Sequence, residues 1–392
     1  MRITGLQATA VAIPFVEDEL WAFGGRRGLT NVILEMTTDE GVVGLGEAAG
    51  YPTVDIVRSV LRSLEPLVVG EDPFRVERII KRIDAIGTWH HMRATSPAIA
   101  AVEMACWDLV GKACGQPLVN LFGGRVRDQV DYFHYLIRKS PADTAADAKA
   151  ASGQGLRTFY LKVGWGDPAA DLELVQAVRD AIDPEGLIRV DANEAWSSGA
   201  AIRIVAEMEP FGLELVEQPV SGRNLSEMAY VRSRIASPLL ANEASWTRYD
   251  ALDVIRHNAA DVISVDNQMD GGLLNMKRAA GICETAGLPV LKHSLGELGV
   301  AACAALHVIA STPNFLFANQ SYASLLSDDV VEAGGPLDQQ AGRLAVPTGD
   351  GIGVTLDRDK LGRYADLYKR KGHELAFGDP GAMAATPLIP KR

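Results

Sequence analysis

The chain has 392 residues, of which 47% are hydrophobic and 22% charged, with a net charge of −12 at pH 7. These values describe an ordinary globular protein, long enough for a barrel of roughly 250 residues and a second domain, and they exclude a general basic footprint for nucleic acid. Positive charge offered to an acidic substrate therefore has to be local, from a metal or a few basic side chains. The four cysteines, Cys106, Cys114, Cys283 and Cys303, form no C-x-x-C pair and fall in helix-like segments, as expected of reduced, buried thiols in a cytoplasmic protein. The N-terminus lacks an apolar leader core, and the most apolar helix, 300–310, is short and carries His307, so neither secretion nor a membrane span is expected.

In chain order, 1–127 predicts an α+β capping domain. Residues 3–13 alternate like a strand, and 31–37 and 42–47 flank the turn Thr38-Asp39-Glu40-Gly41 as a hairpin. Helical patterns follow at 53–69, 73–86 and 96–114, the last with Pro97 early and Gly115 at its stop. Between the first strands, the stretch from Trp21 to Gly28 mixes aromatics, Arg26, Arg27 and three glycines. It reads equally as a loop that closes over a ligand, presenting guanidinium groups to a carboxylate, or as a plain surface loop. Its glycines lack the spacing of a phosphate-binding loop. Residues 47–51, which include Tyr51, form a second candidate wall, with Trp89, His90 and His91 as weaker additions.

A βα rhythm then takes over. Strands are expected at 130–137, 158–163, 187–191, 213–217, 238–243, 261–266, 289–293 and 314–319, separated by amphipathic helices such as 169–181 and 273–286. This alternation predicts a modified TIM barrel of (β/α)7β type over 128–320, its last helix replaced by irregular chain. Residues 321–392 are expected to pack back on the cap and complete it. The tail from Phe377 is rich in Pro and Ala without a period.

Three strands end abruptly in an acid, at Asp191, Glu217 and Glu243, and the first step between them equals the second. An even step of one βα unit places the three at the carboxyl ends of successive parallel strands, where oxygen ligands converge on a hard divalent cation. On the preceding strand, alternation puts Tyr160 and Lys162 on one face. Lys162 then points into the barrel mouth, where burial beside a cation is expected to lower its pKa and make it a base. Two later strand ends carry Asp266 and His293, an acid/base dyad in which the Asp fixes the His tautomer. The set fits removal of a proton α to a carboxylate, whose enediolate a bound Mg²⁺ stabilises.

On these residues the chain resembles the mandelate racemase and muconate lactonizing enzyme branch of the enolase superfamily, nearest its mandelate racemase and sugar-acid dehydratase subgroups. The likeness covers nearly the whole length: Gly41 to Glu47, Ala100 to Leu109, Leu121-Phe122-Gly123-Gly124, Asp191 with Asn193, Glu217-Gln218-Pro219, Glu243, Asp266 with Gly271-Gly272, and His293. The resemblance implies Asp191, Glu217 and Glu243 as Mg²⁺ ligands, Lys162 and His293 as the acid/base pair, Asp266 as the residue that orients His293, and a homo-oligomer, dimer or octamer. The family's second strand usually reads Lys-x-Lys. Here Tyr160 takes the first position and becomes a candidate substrate contact or acid. Met269 stands at the catalytic lysine of the muconate-type subgroup, and Phe317-Ala318-Asn319-Gln320 replaces the eighth-strand glutamate of mandelate racemase, leaving Asn319 or Gln320 as a polar contact.

The expected activity is dehydration of a sugar acid, a small carboxylate, with Asn193, Trp21, Arg26, Arg27 and Tyr51 among the substrate contacts. The alternatives are a racemase, epimerase or cycloisomerase using the same enediolate, a barrel that binds acids without turnover, and a Schiff-base aldolase led by Lys162.

Overall fold

A computed structural model describes residues 1–22, 24–87, 92–332 and 334–377. Trp89, His90, His91 and nearly all of the Pro- and Ala-rich tail lie outside the described residues. The chain opens with an antiparallel sheet of β1 (Ile3–Trp21), β2 (Gly24–Thr38) and β3 (Val43–Ala49), in that order. The stretch expected as a loop at 21–28 is instead the far end of one long hairpin, with Glu19 opposite Arg26 and Trp21 opposite Gly24. The β1–β2 pairing resumes after a shift between Pro14 and Glu19, so the hairpin reaches well beyond the predicted strands.

Helices α1 (Val54–Val68), α2 (Val76–Asp84) and α3 (Met92–Cys114) pack on this sheet. In α1 the buried residues Val54, Val57, Leu61, Leu64 and Val68 recur at helical spacing, and Thr53 caps the first turn by accepting from the Ile56 N–H. Each full burial of such a side chain contributes about 1.5–3 kcal/mol. The glycines of β3 let α3 lie directly against the strand. A Cβ on Gly44 would stand 2.3 Å from the Ala105 carbonyl oxygen, and one on Gly46 2.0 Å from that of Ala101.

After the short α4 (Leu118–Leu121), the strand expected at 130–137 divides in two. β4 (Gln129–Asp131) leaves to pair with the late β12 (Arg343–Ala345), and β5 (His134–Leu136) begins the barrel. The barrel continues as α5 (Pro141–Gly153), β6 (Thr158–Lys162), α6 (Pro168–Ala181), β7 (Leu187–Asp191), α7 (Ser198–Met208), β8 (Leu213–Glu217), α8 (Leu225–Arg232), β9 (Leu239–Ala241), α9 (Arg248–Arg256), β10 (Val262–Val265), α10 (Leu273–Thr285), β11 (Val290–Lys292) and α11 (Gly299–Ala310). β5 to β11 form one parallel sheet of seven strands. The eighth strand expected at 314–319 is irregular chain that closes the curl through single bridges, Phe315 to Val290 and Asn319 to Tyr132. The Asn319 side chain is part of that closure, accepting from the Lys292 N–H at 2.8 Å and donating to the Asp131 carbonyl at 3.1 Å.

Two cap acids fasten the barrel. Glu47 accepts from the N–H groups of Leu298 and Ala301 at the start of α11, and Glu103 from those of Leu273 and Leu274 at the start of α10. Helix N-termini carry unpaired N–H groups and partial positive charge, so each carboxylate is a cap supplied from another domain. Gly272 is required there, since a Cβ would lie 2.5 Å from the Glu103 carboxyl. The final α12 (Arg358–Phe377) packs on β1 and β2, with Arg358 paired to Glu35 at 2.7 Å. Cys106, Cys283 and Cys303 are buried free thiols, whereas Cys114, at the end of α3, is exposed. Among the described residues no helix is long and apolar enough to cross a membrane.

Candidate active site

Parallel register builds the site. Lys162 of β6 stands opposite Asp191 of β7, and Asp191 opposite Glu217 of β8, so three charged strand ends form one row. Glu243 follows two residues beyond β9 in a short 3-10 turn, Glu243–Ser245. Asp266 and His293 follow the ends of β10 and β11. A cavity of about 350 Å³ lies between these strand ends and the cap. It is lined by Lys162, Asn193, Glu243 and His293 from the barrel side and by Glu19, Trp21, Arg26 and Tyr51 from the cap, with Trp246, Gln320 and Tyr322 among the others.

Asp191 and Glu217 are buried; Glu243 is partly exposed, although its Oε2 is enclosed without a hydrogen-bond partner among the described residues. Burial and the charge of Asp191 push both Glu217 and Glu243 upward, since neighbouring carboxylates out of water resist ionising together. The three do not stand gathered as a coordination shell: no such group of acids, histidines or cysteines occurs among the described residues. Lys162 Nζ donates to Asp191 Oδ2 at 2.6 Å and to Asn193 Oδ1 at 2.7 Å, while Asn193 Nδ2 donates to Glu243 Oε1 at 2.8 Å and Asn242 Nδ2 to Glu217 Oε1 at 2.7 Å.

The expected low pKa of Lys162 is reversed in this arrangement. Burial works to lower it, but Asp191, Glu217 and Glu19 outweigh burial and hold the ammonium above its ordinary value. Asn193 reaches Lys162 through a bend in the chain after β7. Its φ of 42° bends the chain, and its N–H donates to Asp191 Oδ1 at 2.7 Å in a tight local turn.

Across the pocket, His293 Nδ1 meets Asp266 Oδ2 at 3.1 Å, which leaves Nε2 for proton transfer. Burial works to raise the Asp266 pKa, but the His293 hydrogen bond and the Lys292 charge pull it below the ordinary carboxylate value. The Asp266 carboxylate is further fixed by the N–H groups of Gln268 and Met269.

The remaining predicted residues separate by facing. Trp21, Arg26, Tyr51 and Gln320 line the pocket. Arg27, next to Arg26 on the same strand, points the other way and pairs with Asp18 at 3.3 Å, because successive strand residues face opposite sides. Tyr160 shares a face with Lys162 but sits lower in the barrel, buried, stacked on Phe133 at 4.5 Å, with its hydroxyl donating to Asp191 rather than lining the pocket. Asn319 closes the barrel beneath the site. Glu19 went unnoticed in the sequence, since the run Glu17-Asp18-Glu19 reads as a solvated acidic patch.

The enolase C-terminal domain-like model matches residues 143–360, and the mandelate racemase / muconate lactonizing enzyme N-terminal domain matches 8–123. The chain belongs to the mandelate racemase and muconate lactonizing enzyme family of the enolase superfamily. Among its relatives, a cis-3-hydroxy-L-proline dehydratase of Roseibium aggregatum is 30% identical over 94% of this chain and 100% of its own length. An enolase of Streptomyces coelicolor described as a putative sugar isomerase, solved without Mg, is 35% identical with a TM-score of 0.86, over 95% of this chain and 99% of that one. A dipeptide epimerase of Enterococcus faecalis, solved with Mg and L-Leu-L-Tyr, is 29% identical with a TM-score of 0.84, over 91% and 100% of the two chains. Members of this superfamily are enzymes, and relatives at similar distance dehydrate or epimerise different small molecules. The reaction of this member therefore has to be argued from its own pocket.

Proposed function

We propose that this protein removes the proton α to the carboxylate of a sugar acid and expels a β-hydroxyl, as an acid-sugar dehydratase does. The observation that carries this reading is that Lys162 and His293 line one pocket, with the imidazole oriented by Asp266. Asp191, Glu217 and Glu243 are the residues that would hold Mg²⁺. Their fit rests on chemistry: they are anionic oxygen donors, two of them raised by burial and mutual repulsion, with one enclosed carboxylate oxygen lacking a partner among the described residues. Bound there, a divalent cation supplies Lewis-acid charge that acidifies a proton next to a carboxylate.

Lys162 serves as base once the pull of its surrounding carboxylates on the ammonium is offset. His293, protonated, gives its Nε2 proton to the departing hydroxyl, and Asp266 stabilises the imidazolium. The roles can be exchanged, since both groups face the same cavity. Assembly as a homo-oligomer belongs to this reading and is checked by light scattering.

Proton NMR in D₂O on a panel of sugar acids is the test. A 2-keto-3-deoxy product is expected; if no acid exchanges its α-proton, the reading falls. The same geometry favours one second reading, epimerisation, because an acid/base group on each of two distant strands can exchange a proton at both faces of a carbon. It would appear as inversion without loss of water. Exhaustive EDTA treatment is expected to abolish turnover and Mg²⁺ to restore it, whereas full activity after chelation would favour a Schiff-base aldolase. Ligand binding without turnover in the wild type would leave a binding barrel.

A further inference from the structure

The cap wall of the pocket contains a charged pair. Glu19 and Arg26 are cross-strand partners in the β1–β2 hairpin, and both line the cavity. Arg26 is spent on internal partners. Its Nε donates to Glu19 Oε2 at 2.5 Å, its Nη2 to the Tyr322 hydroxyl at 2.5 Å, and its Nη1 approaches the Leu295 carbonyl at 3.5 Å. The guanidinium also lies over the rings of Tyr322, at 4.9 Å, and Phe15, at 5.7 Å. Glu19, only 2% exposed, accepts at Oε1 from the hydroxyls of Tyr135 at 2.9 Å and Tyr322 at 3.2 Å.

A guanidinium grips a substrate carboxylate with adjacent N–H groups that are free to turn to it. Arg26 is locked elsewhere by a buried carboxylate, so a second substrate anion brought to this wall meets a closed pair instead of an open clamp. The other described lining side chains able to carry positive charge are Lys162, held by Asp191 and Asn193, and His293, held by Asp266. Around the pair the wall is uncharged, with Trp21, Leu29, Tyr51 and Trp246 as apolar surfaces.

We propose that Glu19, by holding Arg26 in a closed neutral pair, restricts the substrate to acids with a single carboxylate and an uncharged far end. This rests on the α-proton reading above, in which that one carboxylate adjoins the reacting carbon. Among sugar acids it selects aldonates over aldarates, because a second carboxylate desolvated against this wall finds no free counter-charge.

The experiment compares aldonates with aldarates of matched configuration, in D₂O with Mg²⁺, by proton NMR. For the wild type, kcat/KM for the best aldonate is expected to exceed that of its aldarate at least roughly tenfold. In Glu19→Gln the guanidinium loses its counter-charge, and the ratio is expected to move toward the aldarate by roughly tenfold, mainly through KM. Equal use of both acids by the wild type, or an unchanged ratio in Glu19→Gln, overturns the proposal. Circular dichroism checks folding; should Glu19→Gln fail to fold, Tyr322→Phe, which removes a hydroxyl shared by both members of the pair, is expected to shift the ratio the same way, and no shift overturns it. If no acid exchanges its α-proton, the catalytic reading fails separately. Calorimetry with the same acids then decides the specificity, tighter aldonate binding upholding it and equal binding overturning it.

Discussion

The barrel and the cap enclose one pocket by opposite means. On the barrel side, each chemical group is a single residue at a strand end, and parallel register alone sets Lys162, Asp191 and Glu217 in a row. On the cap side, the charged groups of the hairpin neutralise each other, Glu19 against Arg26, before any substrate arrives. Unbalanced charge gathered by a rigid scaffold can do chemistry, while balanced charge on a hairpin decides what fits.

The largest effect is expected on the barrel side. Lys162→Ala should lower turnover by roughly 10³-fold, within the range for loss of a general base, while calorimetry still detects the acid. Loss of binding in parallel with turnover would mean that Lys162 holds the substrate rather than the proton. His293→Asn separates the two reactions. If His293 serves only as the acid in dehydration, α-proton exchange in D₂O persists while water loss stops; loss of both would make His293 the base.

The seam between the two regions comes next. Glu47→Ala leaves the Leu298 and Ala301 N–H groups without their acceptor and takes one of two acceptors from the Asn31 amide, inside a closed interface. Urea denaturation should show a loss of roughly 2–4 kcal/mol, the scale of several buried donors left unsatisfied. A change below about 0.5 kcal/mol, typical of a neutral surface substitution, would remove Glu47 as the fastening.

The smallest effect is on stability against pH. Burial pushes the Glu47 carboxyl from 4.5 to about 8 and that of Glu103 to about 7, against the pull of the helix N-termini they cap. The folded state binds these protons more tightly than the unfolded one, so their contribution is full below pH 4.5 and is lost as pH rises through 7 to 8. His307 has the opposite sign. It is buried, with Nδ1 accepting from the Val119 N–H and Nε2 donating to the Ile352 carbonyl, and burial lowers its pKa from 6.5 to about 4. Its contribution is present above pH 6.5 and is lost as pH falls through 4. Denaturation midpoints should therefore fall on both sides of the neutral range. Glu47→Gln should flatten the alkaline limb, and an unaltered limb would assign that slope to other groups.

The barrel side was legible in the sequence because its signal is local. An apolar run ending abruptly in an acid, repeated at equal steps, needs only strand geometry to be read. Where the outcome depended on depth along a strand, on hairpin register or on charge from neighbouring strands, local pattern gave way. Tyr160 and Lys162 do share a face, but depth along the strand puts the phenol under Asp191 and the amine in the pocket. Arg26 and Arg27 are adjacent, and the register of a hairpin divides them. For Lys162, carboxylates from neighbouring strands reverse the effect that burial alone predicts.

The sequence by itself determined the βα repeat, the three acidic strand ends, and the strand-end positions of Lys162, Asp266 and His293, since each follows from the pattern within a segment. Tertiary structure alone decided the long hairpin, the closure at Asn319, the fastening of helix N-termini by Glu47 and Glu103, and the Glu19 and Arg26 pair. Those contacts join segments distant in the chain or depend on a shift in strand pairing, and the energy that fixes them comes from burial and charge assembled only when the cap closes over the barrel.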